Sequence, residues 1–253
     1  MFQKVSIIGS GNVATQLGKA LVNNGTVVTH VASKNRDHAQ ELANLLKADA
    51  CSLDELPNQF TIICVSDDAI SAVCSEIAEG IPLVYTSGSV GLEDLPSRDR
   101  IGVLYPLQTI SKTGTVDMKS VPFLVESKNE SFQREIYEFA LVLSPSTHIV
   151  NSEQRRKIHM AAVWINNFTN HIVYQAQKIT EDQQLDYRLL LPLLKETLNK
   201  LDHQSAFEAQ TGPARRGDSN TIEKHLNAQS GTARELYELL TKSINETYND
   251  EEL

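Results

Sequence analysis

The hydrophobic rhythm of the chain changes near residue 150. Up to that point, short runs dense in Val and Ile alternate with stretches whose apolar positions recur at helical spacing. "KVSIIG" predicts a buried strand, and "GNVATQLGKALVNNG" a helix closing near Gly25. "TVVTHVAS" and "RDHAQELANLLK" repeat the unit, as do "FTIICVS" and "DAISAVCSEIAEG". Further strands fall at "IPLVYTSG", "IGVLYP", "VPFLVES" and "THIVN". Strands alternating with helices of this size predict a right-handed parallel sheet. Beyond residue 150 the strands stop. "SEQRRKIHMAAVWINNFTNHIVYQAQKI" predicts one long helix. "DQQLDYRLLLPLLKETLNKLD" predicts a second, in which Pro192 either makes a kink or starts a new helix. "SNTIEKHLNAQ" and "TARELYELLTKSINETY" complete an all-helical half. The expectation is two domains, 1–150 and 151–253, an α/β doubly wound sheet followed by an all-α C-terminal domain. The closing "NDEEL" reads as a frayed acidic tail.

The longest helix has an unusual polar face. Residues 158–177, "IHMAAVWINNFTNHIVYQAQ", hold no Asp, Glu, Lys or Arg in a chain that is 22% charged. At about 100° per residue, His159, Val163, Asn166, Asn170 and Gln177 fall on one side, with Met160, Ala161, Trp164, Ile165, Phe168 and Ile172 on the other. A helix with a solvated polar face explains the alternation, but such a face ordinarily carries Lys and Glu. Neutral hydrogen-bonding groups suit a face held against a polar partner, either a cofactor with its substrate or another subunit. Histidine exchanges a proton near neutral pH, which makes His159 the candidate acid or base, with Asn166 or Asn170 orienting a substrate.

The first helix carries a more specific signal. Gly9-x-Gly11-x-x-Ala14 follows a strand and opens a helix. Gly9 allows the tight turn, and Gly11 lets the backbone approach a pyrophosphate. Ala14 keeps helix and strand close, and the helix N-terminus offers N–H groups to phosphates. Gly9, Ser10, Gly11, Asn12 and Val13 are therefore expected to hold a dinucleotide. NAD enzymes usually place a carboxylate at the end of the second strand. Here that place reads Ser33, Lys34, Asn35, Arg36. The missing carboxylate and the nearby guanidinium favour NADP, with Ser33, Asn35 and Arg36 about the 2′-phosphate, over the alternative that Arg36 caps or solvates the next helix. A second cluster, "QTGPARRGDSN", breaks the chain at Gly212-Pro213 and leaves Asp218 or Ser219 to cap the helix after it. Its Arg215 and Arg216 read either as an anion clamp or as parts of a structural turn.

Composition narrows the classes. A net charge of −9 and a pI near 5.3 argue against a non-specific nucleic-acid binder. The N-terminus lacks the basic and apolar regions of a secretory signal, and no run is apolar enough for a membrane span. Three cysteines, Cys51, Cys64 and Cys74, make an odd set suited to reduced thiols in a cytoplasm. Cys64, within a strand-like run, reads as a small buried residue rather than a nucleophile. No metal is expected.

Four stretches carry a resemblance: "GSGNVATQLG"; "YTSGSVG" with "YPLQTIS"; "SEQRRKIHMAAVWINNFTNH"; and "TGPARRGDSNTIEKHL". They resemble the superfamily that joins a Rossmann-like domain to a helical domain of the 6-phosphogluconate-dehydrogenase type. Its members include pyrroline-5-carboxylate reductase, the β-hydroxyacid dehydrogenases and the deazaflavin-dependent NADP reductases. Within it, the chain is most similar to a family of NADP oxidoreductases whose physiological reaction is unassigned. The resemblance implies a cofactor across the strand ends, with Val65 and Ser66 near its ribose and Thr86, Ser87 and Gly88 near the nicotinamide. It also implies Gln108 and Arg216 as substrate contacts. Relatives show His-Pro-Leu-Gln where this chain has Tyr105-Pro106-Leu107-Gln108, so Tyr105 either takes over an acid role or the role lies elsewhere. Matching Asn166 and Asn167 places Val163 where the β-hydroxyacid dehydrogenases carry a lysine, so their proton transfer does not carry over directly. Related reductases dimerise through the helical half, and the apolar run "LDYRLLLPLLKETL" fits a homodimer. The reading is a cytoplasmic NADP-dependent oxidoreductase acting on a small, anionic substrate in a cleft between the domains. Its rival is a non-catalytic NADP sensor.

Overall fold

The computed structural model describes residues 2–114 and 116–249. The "NDEEL" tail beyond Asn249 lies outside them. Eight strands form one sheet: β1 (Lys4–Ile8), β2 (Val27–Ala32), β3 (Asp49–Cys51), β4 (Phe60–Ile63), β5 (Leu83–Tyr85), β6 (Ile101–Pro106), β7 (Phe123–Ser127) and β8 (Thr147–Ile149). Their order is β3-β2-β1-β4-β5-β6-β7-β8. The chain leaves β1 in one direction for β2 and β3, then returns to lay β4 on the other side of β1. This switch opens a crevice at the carboxyl ends of β1 and β4. Helices α1 (Asn12–Asn23), α2 (Arg36–Leu46), α3 (Asp67–Glu76) and α4 (Glu130–Leu143) accompany the strands. Val5, Ile7, Val31, Ile62, Val84 and Leu104 are fully buried in the sheet, as continuous apolar strands covered on both faces should be.

The sheet is not wholly parallel, contrary to the expectation. β7 runs antiparallel to β6, and β8 then runs parallel to β7. The reason lies in the connection. A parallel return needs a crossover, usually a helix, and between Pro106 and Phe123 the only helical turn among the described residues is the short one at Met118–Ser120.

The chain divides into two compact units, Met1–Asn167 and Phe168–Leu253, rather than at the expected residue 150. Helix α5 (Ser152–Ala162) belongs to the first unit because Ser152 and Arg155 are buried there. It runs into a π-helical turn at Val163–Phe168 and then into α6 (Thr169–Asp182). The second unit adds α7 (Leu191–Leu201), the short α8 (Ala206–Ala209), α9 (Ser219–Asn227) and α10 (Gly231–Asn249). Pro192 sits in the first turn of α7, where its missing N–H costs nothing, so it starts a helix rather than bending one. Asp218 caps α9, accepting from the Thr221 backbone N–H at 3.1 Å and the Thr221 hydroxyl at 2.8 Å.

Candidate functional site

The turn after β1 is built for a close approach. Gly9 has φ +109°, and a Cβ there would overlap the carbonyl oxygen of Cys64 at the end of β4. Only glycine lets the two strand ends come together at the crevice. Gly11 caps α1 with no side-chain bond, no acidic residue fills the first turn, and nothing stands within 4 Å of where its Cβ would be. The helix therefore presents unused N–H groups over an open space, an arrangement suited to a pyrophosphate. Beside it the Ser10 and Ser33 hydroxyls lie 2.9 Å apart, joining the ends of β1 and β2. Arg36 and Lys34 are exposed, with no carboxylate at the end of β2. Asn35 also caps α2, its side-chain oxygen accepting from the His38 N–H at 3.0 Å. The donor set fits a phosphorylated dinucleotide.

Along the same edge, Val65 is half-buried and Ser66 exposed at the start of α3. Thr86 donates to the Ile63 carbonyl from both its N–H and its hydroxyl, at 3.1 and 3.3 Å. The hydroxyl of Ser87 is turned inward, accepting from the backbone N–H groups of Ser89 and Val90 at 3.1 Å each. Ser87 thus shapes its loop instead of offering a hydroxyl, because a tight loop must satisfy its own buried N–H groups. Asn12 donates to the Ile110 carbonyl at 3.1 Å, and Gln16 to that of Gly114 at 2.6 Å. These bonds hold the segment after β6 against α1.

β5 and β6 are parallel, so Tyr105 emerges at the same edge as Thr86–Gly88. Its hydroxyl lies 3.0 Å from His159 Nδ1 of α5, and the two rings meet edge to face at 5.9 Å. Gly88 lies beneath both. A Cβ there would stand 2.6 Å from His159 Nδ1 and 2.8 Å from Tyr105 Cζ. Burial first, and the charge of Asp67 second, push the Tyr105 phenol above its ordinary range, with Arg155 opposing them. The phenol therefore keeps its proton at neutral pH. The pair borders a cavity of about 580 Å³ lined also by Leu107, Gln108, Val163 and Asn166. That volume suits a small molecule. Its lining includes no Lys or Arg.

Tyr105, Gln108, His159 and Asn166 thus share one cavity. Asn170 and Arg216 belong to the second unit, Asn170 on α6 and Arg216 exposed ahead of α9. Arg215 is tied down, donating to the Tyr248 carbonyl at 3.3 Å with its guanidinium 4.8 Å from that ring. The two-sided division of the long helix needs correction. Ala161 and Ile165, assigned to its apolar side, line the same cavity as His159 and Asn166. A π turn bonds i to i+5, so a phase drawn at 3.6 residues per turn slips across Val163–Phe168. Met160 and Ile165, expected opposite the polar face, are 60% and 78% exposed.

A doubly wound sheet with a glycine turn at its switch point defines a Rossmann-type dinucleotide-binding fold, here followed by helices. Residues 4–84 match the family model described as "NADP oxidoreductase coenzyme F420-dependent", and residues 121–244 match a "domain of unknown function (DUF2520)". The "putative NADP oxidoreductase BF3122" of Bacteroides fragilis is 33% identical over 97% of this chain and 98% of its own, with a TM-score of 0.86. The chain belongs to this family, which joins an NADP-oxidoreductase-type Rossmann domain to a helical C-terminal domain of unknown function. Protein TM1727 of Thermotoga maritima shares the fold at 22% identity and a TM-score of 0.76, covering 98% of this chain and 100% of its own. 1-Pyrroline-5-carboxylate reductase of Streptococcus pyogenes does so at 12% and 0.61, covering 96% and 98%. No curated protein matches.

Proposed function

We propose that the protein is an NADP-dependent oxidoreductase that moves a hydride to or from a small substrate held beside Tyr105 and His159. The observation that carries this reading is the pairing of those two side chains over Gly88, on the strand edge where the glycine turn would hold the dinucleotide. Bound nicotinamide supplies the hydride; a proton must come from the chain. With its phenol kept protonated, Tyr105 donates to His159 Nδ1 and fixes the tautomer that carries hydrogen on Nε2. His159 then gives its Nε2 proton to the substrate as the Tyr105 hydroxyl proton passes to Nδ1, so the ring stays neutral and the phenolate regains a proton from water; the opposite reaction runs the same transfer in reverse, while Asn166 and Gln108 hold the substrate. An anionic substrate is favoured only by the resemblance that singles out Arg216, since the cavity lining holds no Lys or Arg. NADP preference rests on Ser33 and Arg36 and on the missing carboxylate.

Titrating NADPH and NADH by calorimetry, then following NADPH absorbance with a panel of oxo-acids, neutral ketones and cyclic imines, tests this. NADPH is expected to bind more tightly, and Arg36→Ala to narrow the gap. Replacing His159 by Asn should slow turnover by about 10²–10⁴-fold with nucleotide affinity kept. Equal affinities sink the NADP assignment. A chain that binds NADPH yet oxidises it with no panel member fits the sensor instead.

A homodimer through the second unit is part of the same proposal. Supporting it, Ile179, Leu189, Leu193 and Leu239 are all more than half exposed, and an apolar surface of that extent is unusual on a monomer.

A further inference from the structure

Helix α5 is tied to the sheet by a side chain that no expectation singled out. Arg155 is fully buried. Its Nε and Nη2 donate to Glu126 Oε2 of β7 at 3.2 and 2.9 Å. Its Nη1 donates to the Ser87 carbonyl at 2.8 Å, and its guanidinium lies 5.7 Å from the centre of the Tyr85 ring. The other Glu126 oxygen accepts from the Ser152 hydroxyl at 2.6 Å. One carboxylate balances the charge, and the fork of the guanidinium divides between that carboxylate and a backbone carbonyl.

The carbonyl it holds comes immediately before Gly88, and His159 follows Arg155 by one helical turn on the same face. One guanidinium therefore sets both sides of the contact. It fixes the backbone entering Gly88, and it fixes the turn of α5 that delivers His159 above it. Holding α5 to β7 needs only the Glu126 arm. The bond to Ser87 adds a constraint on the loop.

We propose that Arg155 is a positioning residue for the Tyr105–His159 pair, acting through Ser87 and Gly88. The proposal rests on the reading that this pair and loop form the reaction site. Its structural part can be tested without a substrate. The probe is the His159 Nδ1 resonance in protein labelled with ¹⁵N-histidine, assigned by its loss in His159→Asn. Tyr105→Phe supplies the position of a ring without the hydroxyl partner.

Removing Arg155 alone strands a buried Glu126 carboxylate, so Arg155→Met is expected to unfold or melt far lower. The double variant Arg155→Met with Glu126→Leu removes both charges and should regain most of the thermal midpoint. Its His159 resonance should still move from the wild-type position towards that of Tyr105→Phe. Arg155→Lys keeps the pair with Glu126 but lacks the fork, and supplies folded protein if the double variant fails to fold. Its resonance should move the same way. A wild-type resonance in either folded variant overturns the proposal, for it would mean that Arg155 serves stability alone. A wild type that binds no NADPH would remove the oxidoreductase reading and leave the resonance comparison standing.

Discussion

The two units treat their apolar residues in opposite ways. In the first, Phe60, Tyr85, Phe123, Phe132 and Phe139 are essentially sealed from solvent, and Phe60 packs against Phe139 with ring centres 5.0 Å apart. In the second, Ala214 and Tyr248 are the only buried hydrophobic residues among those described. An apolar groove of about 400 Å³, lined by Ile172, Ile179, Leu236, Tyr237 and Leu240, stays open there. Both units have helices with apolar stripes, so composition does not separate them. The sheet does. It gives each helix of the first unit a broad surface to cover, whereas the helices of the second unit pack only on one another and bury less. The first unit completes its own core, and the second leaves large apolar side chains at its surface.

The largest effect comes from that contrast. Phe139→Ala should destabilise the protein by about 3–5 kcal/mol in urea unfolding, because a sealed aromatic cluster cannot collapse around the gap. Leu193→Ala, at 69% exposure, should cost under about 0.5 kcal/mol if that face meets only water. A cost several times larger, growing with protein concentration, would show that the face is covered in solution.

The same face gives the next prediction. Light scattering at micromolar concentration should find a particle of twice the 28.1 kDa chain. Leu193→Asp should weaken association by about 10-fold or more, since burying one leucine contributes roughly 1.5–3 kcal/mol and a buried carboxylate costs further. A wild type that stays at the mass of one chain removes the homodimer.

Much of this contrast was legible beforehand. The alternation of β-rich runs with helical stretches marks the first unit, because parallel strands covered on both faces read as unbroken apolar runs. β3 escaped, since Asp49–Cys51 is three residues at a sheet edge and too short for a period. Helix α4 was not singled out although Asn129 caps it, accepting from the Phe132 N–H at 3.0 Å. The reversal at β7 was hidden because strand patterns carry no direction. In the site, the glycine turn, Tyr105 and His159 could be named from sequence, but their pairing over Gly88 depends on strand order. Arg155 was invisible inside "SEQRRK", which reads as a solvated helix start. Its spacing of four from His159 is the one signal that could have raised it.

A smaller effect belongs to the second unit. Asp218→Ala should cost about 1 kcal/mol by uncapping α9, with Asp218→Asn recovering most of it, because the cap needs an oxygen and not a charge. Equal losses in both variants would point to the charge instead.

The smallest effect comes from the neighbour of the buried arginine. Arg156 Nη1 donates to Glu93 at 2.6 Å, but the two side chains are 41% and 50% exposed. That bond first, then the backbone N–H of Glu93, holds the Glu93 carboxyl down at about 2. The folded value lies below the unfolded one of about 4.3, so the stabilisation is present above that value and is lost as pH falls towards 2. Water and salt screen a pair this exposed, so its contribution stays far below what the depressed pKa suggests. Arg156→Met should therefore shift the urea midpoint slightly near neutral pH, less in high salt, and by a shrinking amount as the pH falls below about 4 and through about 2. Arg155 and Arg156 are adjacent in sequence and each holds one glutamate. If Arg156→Met destabilised the fold as much as Arg155→Met, burial would not be what separates the two pairs, and the contrast between sealed and open parts of the molecule would lose its physical basis.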